Sequence, residues 1–186
     1  MSVGRLGPQA VSYQSLMHPP RFPALLALIC LSASAAWAAV LDGKTPAYFV
    51  DRYGPAKSSE TKTSGSFVHT TRGAVTVKGQ FSVREYREGN LTVQAVFFLP
   101  SLELASVRLQ LRQQWTAEQI KAALDAYGGE WRPLSRNVAV NSWVAPDGSL
   151  AISMLTWLDI QSKAIVDQVA KTLADEEAKR NAIPKF

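Results

Sequence analysis

Cysteine is almost missing from this chain: one residue of 186, Cys30, and it lies inside the first apolar run. Beyond it there is no thiol, so disulfides, thiolate metal sites and cysteine nucleophiles are excluded downstream. Histidine is nearly as scarce, with two in all. After residue 38 only His69 remains, in the stretch SFVHTTRG, and no Gly-x-Ser-x-Gly elbow accompanies it. A serine triad therefore has no support, and one histidine without cysteine does not make a zinc centre. Phosphate-cradling glycine loops are missing too, because the glycines punctuate helix ends and turns. Acids are scattered. The run DEE at 175–177 occupies successive helix positions that point apart, and APDGS at 145–149 is too short for a calcium loop. Glu85 and Glu88 sit at a hairpin end, a common surface placement that makes a poor acid–base pair. These absences point to a protein with no cofactor, no metal and no catalytic residues.

No sign of charge dominates either. The formal net charge is +5, and residues 1–38 contribute Arg5 and Arg21 with no acid, leaving eighteen basic against fifteen acidic side chains. That mild surplus is spread along the chain, whereas nucleic-acid binding needs clustered Lys and Arg. Apolar residues make up 47%, ample for a packed core.

What the chain does have begins with a targeting signal. Met17 is a second candidate start, followed by Arg21, the apolar stretch Ala24–Leu31, and small residues ending Ala36-Trp37-Ala38. Only small side chains suit positions −3 and −1 of a signal-peptidase site, so cleavage after Ala38 is expected and the protein is periplasmic or secreted. Two other readings stand beside this one. Residues 22–41 are long enough for an uncleaved anchor, against which Pro23, two serines and the Ala-rich end argue. Lipidation at Cys30 is disfavoured by Leu28-Ile29, since a small residue should precede a lipid-bearing cysteine.

The rest reads as an α+β chain. Thr45, Pro46 and Gly54-Pro55 bracket a short helix with Phe49, Val50 and Tyr53 as its stripe. Residues 56–66 are polar and aperiodic, the mark of an exposed loop. From Phe67 the period becomes two. A hairpin around Glu88-Gly89-Asn90 places Phe81, Val83, Leu91, Val93, Ala95 and Phe97 on one face, with Ser82, Arg84, Tyr86, Thr92 and Gln94 on the other. A third run, 103–115, points Val107, Leu109 and Leu111 inward and Arg108, Gln110 and Arg112 outward. Thr116 and Gln119 form a capping box for a second helix, whose stripe is Ile120, Ala123, Leu124 and Tyr127 and whose stop is Gly128. Another hairpin spans 137–157 and turns at Pro146-Asp147-Gly148. A final helix runs from about Gln161 to Arg180, and Asn181–Phe186 form a tail. Trp131, Trp143 and Trp157 lie in or beside strand patterns and read as core; Trp115 abuts the second helix.

Capped helix, Tyr-Gly stop and hairpin thus occur twice in order. The expected fold is an antiparallel sheet with helices packed on one face, as two tandem helix–hairpin repeats plus a C-terminal helix. The expected segments are signal peptide 1–38, first helix–sheet unit 39–115, second helix–hairpin unit 116–160, and C-terminal helix and tail 161–186. The order resembles the SmpA/OmlA (BamE-like) envelope lipoprotein superfamily and the tandem-repeat β-lactamase inhibitor proteins. The matching residues are Thr45, Val50, Gly54, Pro55 and Phe67 in the first unit, then Thr116, Ile120, Gly128, Trp131 and DGSL at 147–150 in the second. These are folding signals without chemistry, and the resemblance implies a small exported helix-on-sheet module that binds proteins.

The candidate binding site is the polar sheet face carrying Arg84, Tyr86, Arg108 and Arg112, because Arg and Tyr combine contact area with directional hydrogen bonds. Its expected partner is an acidic protein surface or an anionic envelope polymer. The leading function is a non-enzymatic exported interaction module. Two alternatives remain: a carrier of a small apolar or lipid ligand between helices and sheet, suggested by AVFFLP at 95–100 with Ile165 and Val169, and an enzyme of unrecognised chemistry.

Overall fold

The apolar alternation builds one sheet. A computed structural model describes residues 40–70, 72–136 and 140–182. Strands β1 (Ser58–His69), β2 (Gly73–Glu88), β3 (Leu91–Phe98) and β4 (Leu104–Leu111) form an antiparallel meander. A second meander comprises β5 (Arg132–Arg136), β6 (Asn141–Val144), β7 (Leu150–Met154) and β8 (Trp157–Gln161). The two join where β4 pairs with β8, giving the order β1-β2-β3-β4-β8-β7-β6-β5. Helices α1 (Pro46–Tyr53), α2 (Ala117–Tyr127) and α3 (Lys163–Asn181) complete the fold.

This corrects the expectation of two tandem helix–hairpin repeats with helices on one face. The first two helices are each followed by four strands, and all eight share a continuous sheet. The extra strands were hidden for physical reasons. β1 is an edge strand whose first six residues are all exposed, so it shows no apolar period and reads as a loop. β5 and β8 have five residues each, too short for a decisive alternation.

Helices cover both faces. Directly paired residues share a face, and neighbours along a strand alternate. On the first face Val93, Ala95, Phe97, Val107, Leu109, Leu158 and Ile160 pack beneath Phe49 of α1 and Ile120, Leu124 and Tyr127 of α2. On the second, Val96 and Phe98 join Phe67, Val75, Val77 and Phe81 against Ile165, Val169 and Leu173 of α3.

One register detail decides where the polar residues fall. β2 and β3 are joined by a two-residue turn, Gly89-Asn90, with Glu88 opposite Leu91 and Gly89 at φ 56°. Reading the turn as three residues, Glu88-Gly89-Asn90, shifts β2 by one and exchanges its faces. Arg84 therefore lies opposite Ala95 and Tyr86 opposite Val93, on the first face, beneath α1.

The two Tyr-Gly helix endings meet in space. Arg52, in the last turn of α1, lies 5.3 Å from the Tyr53 ring and 6.0 Å from the Tyr127 ring. Lys44 lies 5.9 Å from the Tyr127 ring and donates to the Val40 carbonyl at 2.9 Å. Cations at these helix C-termini oppose the negative ends of the dipoles. Burial holds the Lys44 ammonium pKa below its usual value, and the Arg52 charge adds to that. Thr116 and Gln119 form the expected reciprocal box, whereas Thr45 makes no side-chain cap.

Signal peptide 1–38, Met17, Cys30 and the cleavage point after Ala38 lie outside the described residues, as do 183–186 and 137–139. The described chain opens with two buried side chains, Val40 and Leu41, and the Val40 N–H donates to the Asp147 carboxylate at 2.7 Å. Among the described residues no helix is long and apolar enough to cross a membrane.

Tyr86 is fully buried and stacks on Phe49 with ring centroids 5.6 Å apart. Tyr86→Ala should cost about 3–5 kcal/mol in urea unfolding, while Arg87→Ala, on the exposed side of the same strand, should stay within about 0.5 kcal/mol. Equal effects of the two substitutions would return Tyr86 to the solvent side.

Candidate functional site

The four residues predicted to form one polar face are divided by the sheet. Arg84 and Tyr86 lie on the first face. The Arg84 guanidinium sits 5.8 Å from the Phe97 ring, and the buried Tyr86 hydroxyl has no hydrogen-bond partner. Burial raises the Tyr86 pKa, and Arg84 opposes that shift. Arg108 lies on the second face, opposite Gln94 of β3 and Asp159 of β8. Arg112 is exposed just past the end of β4. A single four-residue binding face is therefore corrected: the two-residue turn separates its members.

Around Arg108 the second face holds a polar network. Its Nη2 donates to Asp159 Oδ2 at 3.2 Å, its guanidinium lies 5.1 Å from the Trp157 ring, and its buried Nε–H has no partner. Gln161 Nε2 donates both to the same carboxylate oxygen, at 3.2 Å, and to the Val68 carbonyl, at 2.9 Å. The network thereby ties the end of β1 across the sheet to β8. Asp159 is 2% exposed. A pocket of about 130 Å³ lies alongside, lined by Glu85, Thr92, Gln94, Arg108 and Gln110.

A larger concavity lies on the first face, between α2 and the edge of the sheet. It measures about 610 Å³. One wall is α2, whose Ala117, Lys121 and Asp125 recur every four residues beside Ile120 and Leu124. Trp143 of β6 enters from the sheet, opposite Pro133 and Ala151. Trp131 closes the end, and its Nε1 donates to the carbonyls of Leu124 at 3.2 Å and Gly128 at 2.8 Å. That indole satisfies two carbonyls at the helix end and is fixed in place by them. Gly129, at φ 85°, is also required by space, since a Cβ there would come within 2.5 Å of Val40 Cγ2. Lys121 and Asp125 pair at 2.6 Å on the rim, and β5 bounds the sheet with Leu134 57% exposed.

Trp131 and Trp143, expected as core, pack against it and also line the groove. The sequence signal for the groove is their position, one shortly after a helix stop and one on a short strand, bracketing the Ile120/Leu124 stripe. Glu85 and Glu88 do not act together: three residues apart on a strand, they point to opposite faces, and Glu85 pairs with Arg87 at 3.0 Å. His69 ends β1 opposite Gly73. Among the described residues no three His, Cys, Asp or Glu side chains cluster as metal ligands. Comparison with protein-family models, curated proteins and solved structures finds no match to this chain.

Burial raises the Asp159 pKa, opposed by the charge of Arg108 and the hydrogen bonds from Gln161 and Arg108. The folded state then takes up this proton at a higher pH than the unfolded chain does. Stability from the site is gained as pH falls from neutral through that range and lost as pH rises again. Wild type should gain on Asp159→Asn over that acid shift in denaturant midpoint at fixed salt. A difference that stays flat, or moves against wild type, would contradict the assignment.

Proposed function

We propose that the chain is an exported, non-enzymatic protein-interaction module that grips an extended apolar segment of a partner. The observation carrying this is the groove of about 610 Å³ with Trp131, Trp143, Ile120 and Leu124 in its lining. Its size suits a few apolar side chains, and tryptophan dominates interface hot spots. The groove lies beside the β5 edge, where an extended segment can add as a further strand and send alternate side chains inward. Both tryptophans are held by packing or hydrogen bonds, so little order is lost on binding. Export rests on the residues up to Ala38, and the described residues begin with the buried side chains Val40 and Leu41.

A photoactivatable residue at Lys121, on the groove rim, should crosslink to an apolar stretch of one envelope protein. The same group at Glu60, on the opposite edge strand, should not. Trp143→Ala should reduce the Lys121 crosslink at least about tenfold. Equal capture from both positions, or a native mass spectrum in which the groove holds a small apolar ligand, would replace this reading with another.

A further inference from the structure

The β7–β8 turn is built in an unusual way. Met154 pairs with Trp157, leaving the two-residue turn Leu155-Thr156. Such turns favour Gly, Asn or Asp where φ is positive. Here Leu155 occupies φ 40° and is 62% exposed. A bulky apolar residue thus takes a strained backbone position and gains little burial there.

Three hydrogen bonds hold the turn in this state. The Leu155 carbonyl accepts from the Trp115 backbone N–H at 3.0 Å, and the Thr156 carbonyl accepts from Leu111 N–H at 2.8 Å and from Trp115 Nε1 at 3.0 Å. The segment Arg112-Gln113-Gln114 is pinned at both ends beside the leucine and is exposed. Strain persists where neighbouring structure over-determines it, and such places tend to serve function. Trp115 and the half-buried Trp157 flank the projecting leucine, and neither 111–116 nor 154–157 contains an acid.

We infer that this tip is a peripheral contact for an anionic lipid surface. A convex apolar tip needs no complementary pocket in a fluid bilayer. Leucine enters the acyl boundary, tryptophan settles at headgroup depth, and Arg112 meets lipid phosphate. The surplus of eighteen basic over fifteen acidic side chains beyond residue 38 adds long-range attraction. The contact is separate from the Trp131/Trp143 groove and does not rest on it.

The test uses the full chain with Cys30→Ser and Leu155→Cys, labelled with a polarity-sensitive dye, against vesicles of phosphatidylglycerol mixed with phosphatidylcholine. Emission from position 155 should shift to the blue, while the same dye at exposed Ser59→Cys should not respond. Unlabelled Leu155→Gly should melt no lower than wild type yet lose dye-independent vesicle binding by about tenfold, the scale of burying one leucine. Arg112→Gln should weaken binding to the mixed vesicles and leave pure phosphatidylcholine unaffected. No shift at 155, or a shift produced only by an added envelope protein, would overturn the inference in favour of no contact or a protein contact.

Discussion

The pairing of β4 with β8 is the constraint on which the rest of the structure depends. It aligns Val107 with Ile160 and Leu109 with Leu158 on the first face, and Arg108 with Asp159 on the second. Every other strand reaches the centre through its own meander, so without this seam there would be two four-stranded sheets with open inner edges. Joined, the two supply a first face broad enough for α1 and α2 together, while α3 packs on second-face residues of the first meander.

Much of this was legible because it is local. Helix ends are written in caps and stops, and the capping box of α2 and the hairpin at 146–148 fall where those signals stand. What was not legible was non-local. β1 is a strand because β2 offers it a partner, and nothing in SSETKTSG declares that. The strand joined to β4 lies about fifty residues further on, and no period within either segment names the other. Face assignment failed through a single residue: whether Glu88 belongs to the turn or to the strand decides whether Tyr86 sees water or Phe49.

The same logic explains why the predicted site did not survive as a unit while its members kept distinct roles. Tyr86 became core, Arg84 a cover over Phe97, Arg108 a partner for a buried carboxylate, and Arg112 a cation beside the Leu155 turn. Trp131 and Trp143, read as core, pack against it and also line the groove, while Trp115 braces the strained turn. A tryptophan half covered by its own chain and half open is indistinguishable in sequence from a buried one. Only the ending of the sheet at β5 leaves that half free.

Native-state amide hydrogen exchange tests the seam most directly. If one cooperative sheet exists, the slowest amides should come from β4 and β8 alike and exchange through the same global opening, despite lying in different meanders. Slow exchange confined to one meander, with the other opening at a much lower free energy, would mean that the halves fold separately and that the central pairing is not what holds them together.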